Sequence, residues 1–262
     1  MARVIAITNQ KGGSGKTTTA VNLAAALGEQ GRRVLLIDLD SQASASTWYG
    51  IRNHGKGLYE VFTDSRTMSD LVQQSKVAHV EIIPSSSWLN GVDKALAGEV
   101  GTETILRQEL PKLPERWDYI LFDCSPALNI ITVNALAAAG EVLVPVESHV
   151  MALGGLAQLL RTVQTIKTRL NTNLEIAGIL ACRVVARTRH SQEIVEQLRV
   201  RFGSQMYQTV IHESVRLAEC PSFEIPITEY DPKGKGAQDY RLLAKEVLAQ
   251  EPSIQSPLQQ GG

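Results

Sequence analysis

Cysteine is scarce in this chain of 262 residues: Cys124, Cys182 and Cys220 are its three thiols, and no two stand at a CxxC spacing. That usage excludes a disulfide framework and a thiolate zinc site, and it fits thiols kept reduced in a cytosol. It also counts against a carrier of iron–sulfur clusters. An excess of charge is equally absent. Lys and Arg number 26 against 27 Asp and Glu, a formal net charge of −1. The chain is therefore no globally basic nucleic-acid binder, although a local basic patch stays open. No apolar run approaches the ~20 residues that cross a bilayer. The longest, Ile130 to Val146, is broken by Asn134, Gly140, Glu141 and Pro145. Only Arg3 precedes the first apolar stretch, so no secretory leader is expected. The five histidines (His54, His79, His149, His190 and His212) do not cluster at a ligand spacing and are expected in loops or at the surface.

What is present is an alternation of apolar runs and helix-period segments, without internal repeats. Strands are expected at Val4–Thr8, Val34–Asp38, Val80–Pro84, Tyr119–Asp123, Val142–Glu147, Leu174–Val184 and Tyr207–Ile211. Helices are expected near Thr17–Gln30, Met68–Gln74, Glu103–Lys112, Asn129–Ala139, Leu153–Leu170, Ser191–Phe202 and Gln238–Gln250. Strands of Val, Ile and Leu with little alternation are those buried on both faces. The expectation is an α/β fold, a mostly parallel sheet flanked by helices on both faces. With 44% hydrophobic residues, positions 1–250 suffice for one domain with one large core. The Pro-, Ser-, Gln- and Gly-rich stretch 251–262 is expected to be a disordered polar tail.

The most informative stretch is Thr8-Asn9-Gln10-Lys11-Gly12-Gly13-Ser14-Gly15-Lys16-Thr17-Thr18. It joins an apolar strand to a helix, and a glycine turn at a helix N-terminus forms a cradle for phosphate. Residues Lys11 to Thr18 are the expected nucleotide-binding loop of a P-loop ATPase. Lys16 reaches the β- and γ-phosphates, and the Thr17 hydroxyl is placed to ligate Mg²⁺. The strict P-loop pattern wants Gly where Gln10 stands; the loop has gained Lys11 instead. Asp38, Asp40 and Asp123 follow apolar strands directly, and ligands of open α/β sheets bind beyond the carboxyl ends of strands. Asp38 is expected to hold a Mg²⁺-bound water. An unpaired charge at Asp123 would be costly, so a metal-linked role is expected there too.

The segment KGGSGKTT resembles the deviant Walker A box of the ParA/MinD family of partition and positioning ATPases. The strand ending in Asp38-Leu39-Asp40-Ser41-Gln42 resembles its DxDxQ motif, and Tyr119 to Pro126 its Walker B strand. Ser214-Val215-Arg216-Leu217-Ala218-Glu219 and Tyr230 to Ala237 resemble the Soj-like branch, so the similarity runs from about Met1 to Ala249. The resemblance implies an ATPase that takes ATP and Mg²⁺, with Lys11, Lys16 and Asp40 as catalytic residues. Lys11 would cross an ATP-sandwich homodimer to the other subunit's nucleotide, and Asp40 would act on the attacking water. Arg187 in Ala-Arg-Thr and Arg216 in Val-Arg-Leu would contact DNA phosphates without regard to sequence. A ParB-like or other cargo-adaptor protein would stimulate hydrolysis, and the protein would be cytoplasmic and nucleoid-associated.

The chain departs from the family pattern in three places. His212-Glu213-Ser214 replaces Pro-Arg-Asn, Val185-Ala186 lacks the usual Asp, and Glu147-Ser148-His149 replaces Gln-Cys-Glu. The cargo therefore stays open: a chromosome, a plasmid, or a protein compartment or cluster. Two other classes compete. A membrane-cycling regulator of the MinD type would need a C-terminal amphipathic helix, and Pro252 to Gly262 are polar. A metabolic P-loop enzyme is opposed by Lys11.

Overall fold

A computed structural model describes residues 2–63, 65–149 and 152–251. The expected tail lies outside the described residues except for Glu251. That residue is tied down: its carboxylate accepts from the Tyr119 hydroxyl and pairs with Arg32 at 2.8 Å.

Strands β1 (Arg3–Ile7), β2 (Val34–Asp38), β3 (Gln73–Gln74), β4 (Val80–Ile83), β5 (Tyr119–Asp123), β6 (Glu141–Glu147) and β7 (Glu175–Cys182) form one sheet in the order β3-β4-β2-β5-β1-β6-β7. Every pairing is parallel except that of β3 with β4. The described helices are α1 (Lys16–Glu29), α2 (Ser44–Trp48), α3 (Leu58–Phe62), α4 (Val92–Ala95) and α5 (Ile105–Glu109). They continue with α6 (Ile130–Ala138), α7 (Ala152–Arg169), α8 (Arg189–Phe202), α9 (Val215–Phe223), α10 (Ile227–Tyr230) and α11 (Lys235–Ala249).

Parallel strands need long crossovers, and here these put helices on both faces of the sheet. Successive strand residues point to opposite faces, so every strand except the exposed edge strand β3 feeds two cores. Ile5, Ile7, Val34 and Leu36 pack with α1 and α11. Ala6, Leu35, Ile37 and Phe122 pack on the other side, in the core that α6, α7 and α8 complete. All five residues of β2 and all five of β5 are buried, which is why both read as unbroken apolar runs. At ~1.5–3 kcal/mol for each large side chain fully buried, this double core fixes the strand ends from which the functional residues project.

Three expectations are corrected. Tyr207–Ile211 is not a strand; it runs beside β7 with single bridges at Met206 and His212. The amides of Gln208 and Thr209 bond to the Glu246 carboxylate at 2.8 and 2.6 Å, leaving the ladder without them. The helix expected over Met68–Gln74 is a 3₁₀ turn, Met68–Leu71, closed by a Thr67/Asp70 capping box, after which Gln73–Gln74 join the sheet edge. Glu103–Lys112 is broken into the short α5 between two 3₁₀ turns, the second containing Pro111, which has no amide to continue a helix. The other expected elements agree to within a few residues at their ends, whereas α2, α3, α4, α9 and α10 have no counterpart among the expected helices.

Candidate phosphate-binding site

The loop between β1 and α1 is shaped by left-handed backbone at Gly13 (φ 75°) and Gly15 (φ 92°), a conformation that side chains resist. A Cβ on Gly15 would meet the Cys182 side chain at 3.5 Å, an ordinary contact, so the backbone conformation and not space is what favours glycine there. Two bonds anchor the loop: the Asn9 amide donates to the Pro145 carbonyl at 2.7 Å, and the Lys11 N–H donates to Asn9 Oδ1 at 3.0 Å. No side chain caps the start of α1, so its first-turn N–H groups are left for an anion. The Lys16 ammonium is buried and donates to the Lys11 carbonyl at 3.1 Å. Burial lowers its pKa, and Asp123 opposes that shift.

Asp38 and Asp123 are register partners at the ends of β2 and β5, and Ile7 at the root of the loop pairs with Asp123. The two carboxylates are fully buried but differently served. Asp38 accepts from the Ser46 N–H and hydroxyl at 2.8 and 2.6 Å and from the Asp40 N–H at 3.2 Å. Burial pushes it up to about 6 against these bonds. Asp123 has no well-formed hydrogen bond on either oxygen. Burial and then Asp38 raise it well above the carboxylate range, while the Thr17 hydroxyl and Lys16 favour its charged form. The Ser14 hydroxyl in the same loop is also buried and unpartnered among the described residues. Orphaned oxygens on Asp123 beside a threonine hydroxyl are the donors a hard cation such as Mg²⁺ prefers. The residues fit that ion.

A cleft of about 430 Å³ runs from Lys16, Thr17 and Asp40 to a far wall of His212, Glu213, Ser214 and Tyr240. A larger hollow of about 530 Å³ opens over α3, α4 and α5. It lies away from the glycine loop and the carboxylates, so size does not make it the site.

The family model described as an AAA domain matches residues 2–176. The sporulation initiation inhibitor protein Soj of Bacillus subtilis is 41% identical over 95% of this chain and 99% of its own length. The chromosome partitioning protein ParA of Myxococcus xanthus is 39% identical over 96% of this chain and 89% of its own. The chain belongs to the ParA/Soj branch of the ParA/MinD ATPases. A crystal structure of cobyrinic acid a,c-diamide synthase from Mycobacterium smegmatis, with bound ATP analog and magnesium, superposes with a TM-score of 0.83. It is 31% identical and covers 95% of each chain.

In this ParA/Soj chain the structure adds residues that the sequence did not assign to the site, Glu147 and His212 having stood out only as departures from the family pattern. Ser46 serves Asp38, accepts the Ser85 N–H at 3.0 Å and is itself buried. The Ser85 hydroxyl donates to the Asp40 carbonyl at 2.6 Å, so two serines set the Asp38–Asp40 loop. Glu147, at the end of β6, takes Lys11 Nζ at 2.9 Å and Arg183 at 3.1 Å. His212, expected only as a loop residue, lines the cleft; its Nδ1 and N–H meet the buried Asp239 carboxylate at 2.8 and 3.0 Å. Ion pairs that span 27, 36 and 136 positions leave no local pattern to read.

Arg187 and Arg216 are both exposed. They lie on segments joined by the Val184–His212 bridge, Arg187 just before α8 and Arg216 in the first turn of α9. Arg216 pairs with Glu219 at 3.2 Å. The exposed Glu213 lies between these segments and pairs with Arg183 at 3.5 Å. No helix among the described residues is long and apolar enough to cross a membrane.

Proposed function

We propose that this chain binds ATP with Mg²⁺, hydrolyses it, and uses ATP as the signal for a homodimer that holds DNA non-specifically and positions a cargo. The orphaned Asp123 carboxylate beside Thr17 and Lys16 carries the nucleotide part of this reading. A fold does not leave two buried carboxylate oxygens unpaired without a use for them. The relatives named for chromosome partitioning and the solved structure holding an ATP analog with magnesium support it.

Each residue has a derivable task. The glycine loop and the start of α1 present N–H groups to the phosphates, and Lys16, held on the Lys11 carbonyl of the same loop, supplies a positive charge to them. Thr17 and Asp123 offer oxygens to Mg²⁺, which when bound neutralises charge on the phosphate oxygens. Asp38, held by Ser46, orients water around that ion. Asp40 is partly exposed at the cleft and takes the attacking water, positioning it or accepting its proton. Lys11 is the residue for the second subunit's nucleotide. Arg187 and Arg216, doubled by the dimer, supply the phosphate contacts on which non-specific DNA affinity rests. A ParB-like or other adaptor would stimulate turnover, and the DNA-bound state would place the protein on the nucleoid.

The test is nucleotide binding by Lys16→Ala, measured directly by calorimetry. Loss of ATP binding with the fold intact is the expected result, because backbone donors alone do not offset the triphosphate charge. Unchanged affinity would overturn the site.

A further inference from the structure

Lys11 is already occupied. Its ammonium sits 2.9 Å from Glu147 Oε2, at the end of the strand next to β1, and the other oxygen of the same carboxylate takes Arg183 at 3.1 Å. The loop backbone that carries Lys11 is pinned to the same strand through Asn9 and Pro145. The Lys11 side chain is 39% exposed and that of Glu147 22% exposed, so the pair is half-shielded from water. The pairing draws the Glu147 pKa down, with the Lys11 hydrogen bond as the largest cause.

We propose that Glu147 is a latch: it holds Lys11 against its own subunit, so that dimerisation must first break the Lys11–Glu147 pair. The proposal rests on the assignment of Lys11 to the partner's nucleotide. An ammonium cannot bridge to a second subunit while seated on a carboxylate of its own. Opening is inexpensive because Arg183 remains on Oε1, and Glu147 is not left as an isolated charge. Arg183 is itself set in left-handed backbone (φ 53°) and also reaches Glu213, so its place does not depend on Lys11. The latch thus penalises the dimer without destabilising the subunit. A half-exposed ion pair holds its partners by roughly a factor of two to five. A homodimer opens two latches, so the factors multiply to roughly 4–25-fold in the dimer constant.

The experiment is sedimentation equilibrium of the full chain with Mg²⁺ and a non-hydrolysable ATP analogue, comparing the unmutated chain with Glu147→Gln, Glu147→Asp and Lys11→Ala. Urea unfolding of each nucleotide-free protein confirms the fold. Glu147→Gln should tighten the dimer by roughly 4–25-fold. Glu147→Asp keeps the charge but withdraws it by one methylene, and should shift the constant in the same direction by less. Lys11→Ala should not dimerise. Dimers unchanged or weakened in both Glu147 variants, with Lys11→Ala monomeric, overturn the latch and leave the role of Lys11 standing. Dimers intact in Lys11→Ala overturn the role of Lys11 itself.

Discussion

Replacing Asp123 by asparagine should make the nucleotide-free protein more stable and the nucleotide-bound protein less so. Asn has the shape of Asp, so packing at the end of β5 is kept. What is removed is a fully buried carboxyl with neither oxygen paired, set beside Asp38 in the β2–β5 register, whose ionised form burial and Asp38 both disfavour. An unsatisfied buried group costs about 1–3 kcal/mol, and a ΔΔG of 1 kcal/mol moves the melting temperature of a domain this size by about 2–4 °C. A rise of about 2–12 °C is expected without ligand. Mg²⁺ and ATP at one hundred times Kd add about 2.7 kcal/mol to the unmutated chain. If the variant binds a hundredfold more weakly, the same ligand concentration adds only about 0.4 kcal/mol. Ligand should therefore cut the variant's lead by about 2.3 kcal/mol, which calorimetry with and without Mg²⁺ and ATP reads directly.

The pH dependence gives an independent check. The folded pKa of Asp123 is raised above the usual carboxylate value, as is that of Asp38, to about 6. The unfolded chain therefore releases these protons first. Stability is greatest below the ordinary carboxylate range and is lost as pH rises through it, through about 6 for Asp38 and through the raised pKa of Asp123. Each such group contributes a slope of up to about 1.4 kcal/mol per pH unit. Asp123→Asn should flatten that fall. A variant that melts below the unmutated protein without ligand, or that keeps the full ligand increment, would refute the reasoning.

Asp40→Ala should bind ATP and form a persistent dimer while turnover drops by ~10²–10⁴-fold, read by phosphate release beside sedimentation; near-normal turnover would remove Asp40 from the chemistry. Arg187→Glu with Arg216→Glu should abolish retention on DNA in a pelleting assay while ATP-dependent dimerisation persists. DNA binding by the unmutated protein should fall with salt at a log–log slope of about −0.9 per neutralised phosphate. An ATP-bound dimer without DNA affinity at low salt would defeat that assignment. Ser46→Ala deletes a buried hydroxyl that Asp38 and the Ser85 N–H both use. It should cost about 1–3 kcal/mol in urea unfolding and weaken Mg²⁺-dependent nucleotide binding; a change below ~0.5 kcal/mol would show that the network is not what holds Asp38.

The parts of the site legible in the sequence were those whose physics is local. β1, β2 and β5 are buried on both faces, so each reads as an apolar run, and a carboxylate at the end of such a run stands out. The glycine loop is legible because its left-handed positions tolerate little else. Ser46 and Ser85 escaped notice because a serine eight residues from Asp38 carries no signal until α2 folds back over the end of β2. The pairing of Glu147 with Lys11 escaped for the same reason across a gap of 136 positions. Tyr207–Ile211 read as a strand because apolar content predicts burial, whereas the destination of its amides was decided by Glu246 on α11. The same division runs through the energetics. The local, legible residues include the unsatisfied ones, Asp123 and Ser14, whose cost a ligand at the proposed site would relieve. The non-local residues satisfy the rest: Ser46 lets Asp38 stay charged beside a second carboxylate, and Glu147 gives the loop's extra lysine a place before a partner arrives. The sequence motif marks where the proposed site would take phosphate and metal, and the tertiary contacts would decide how readily it engages them.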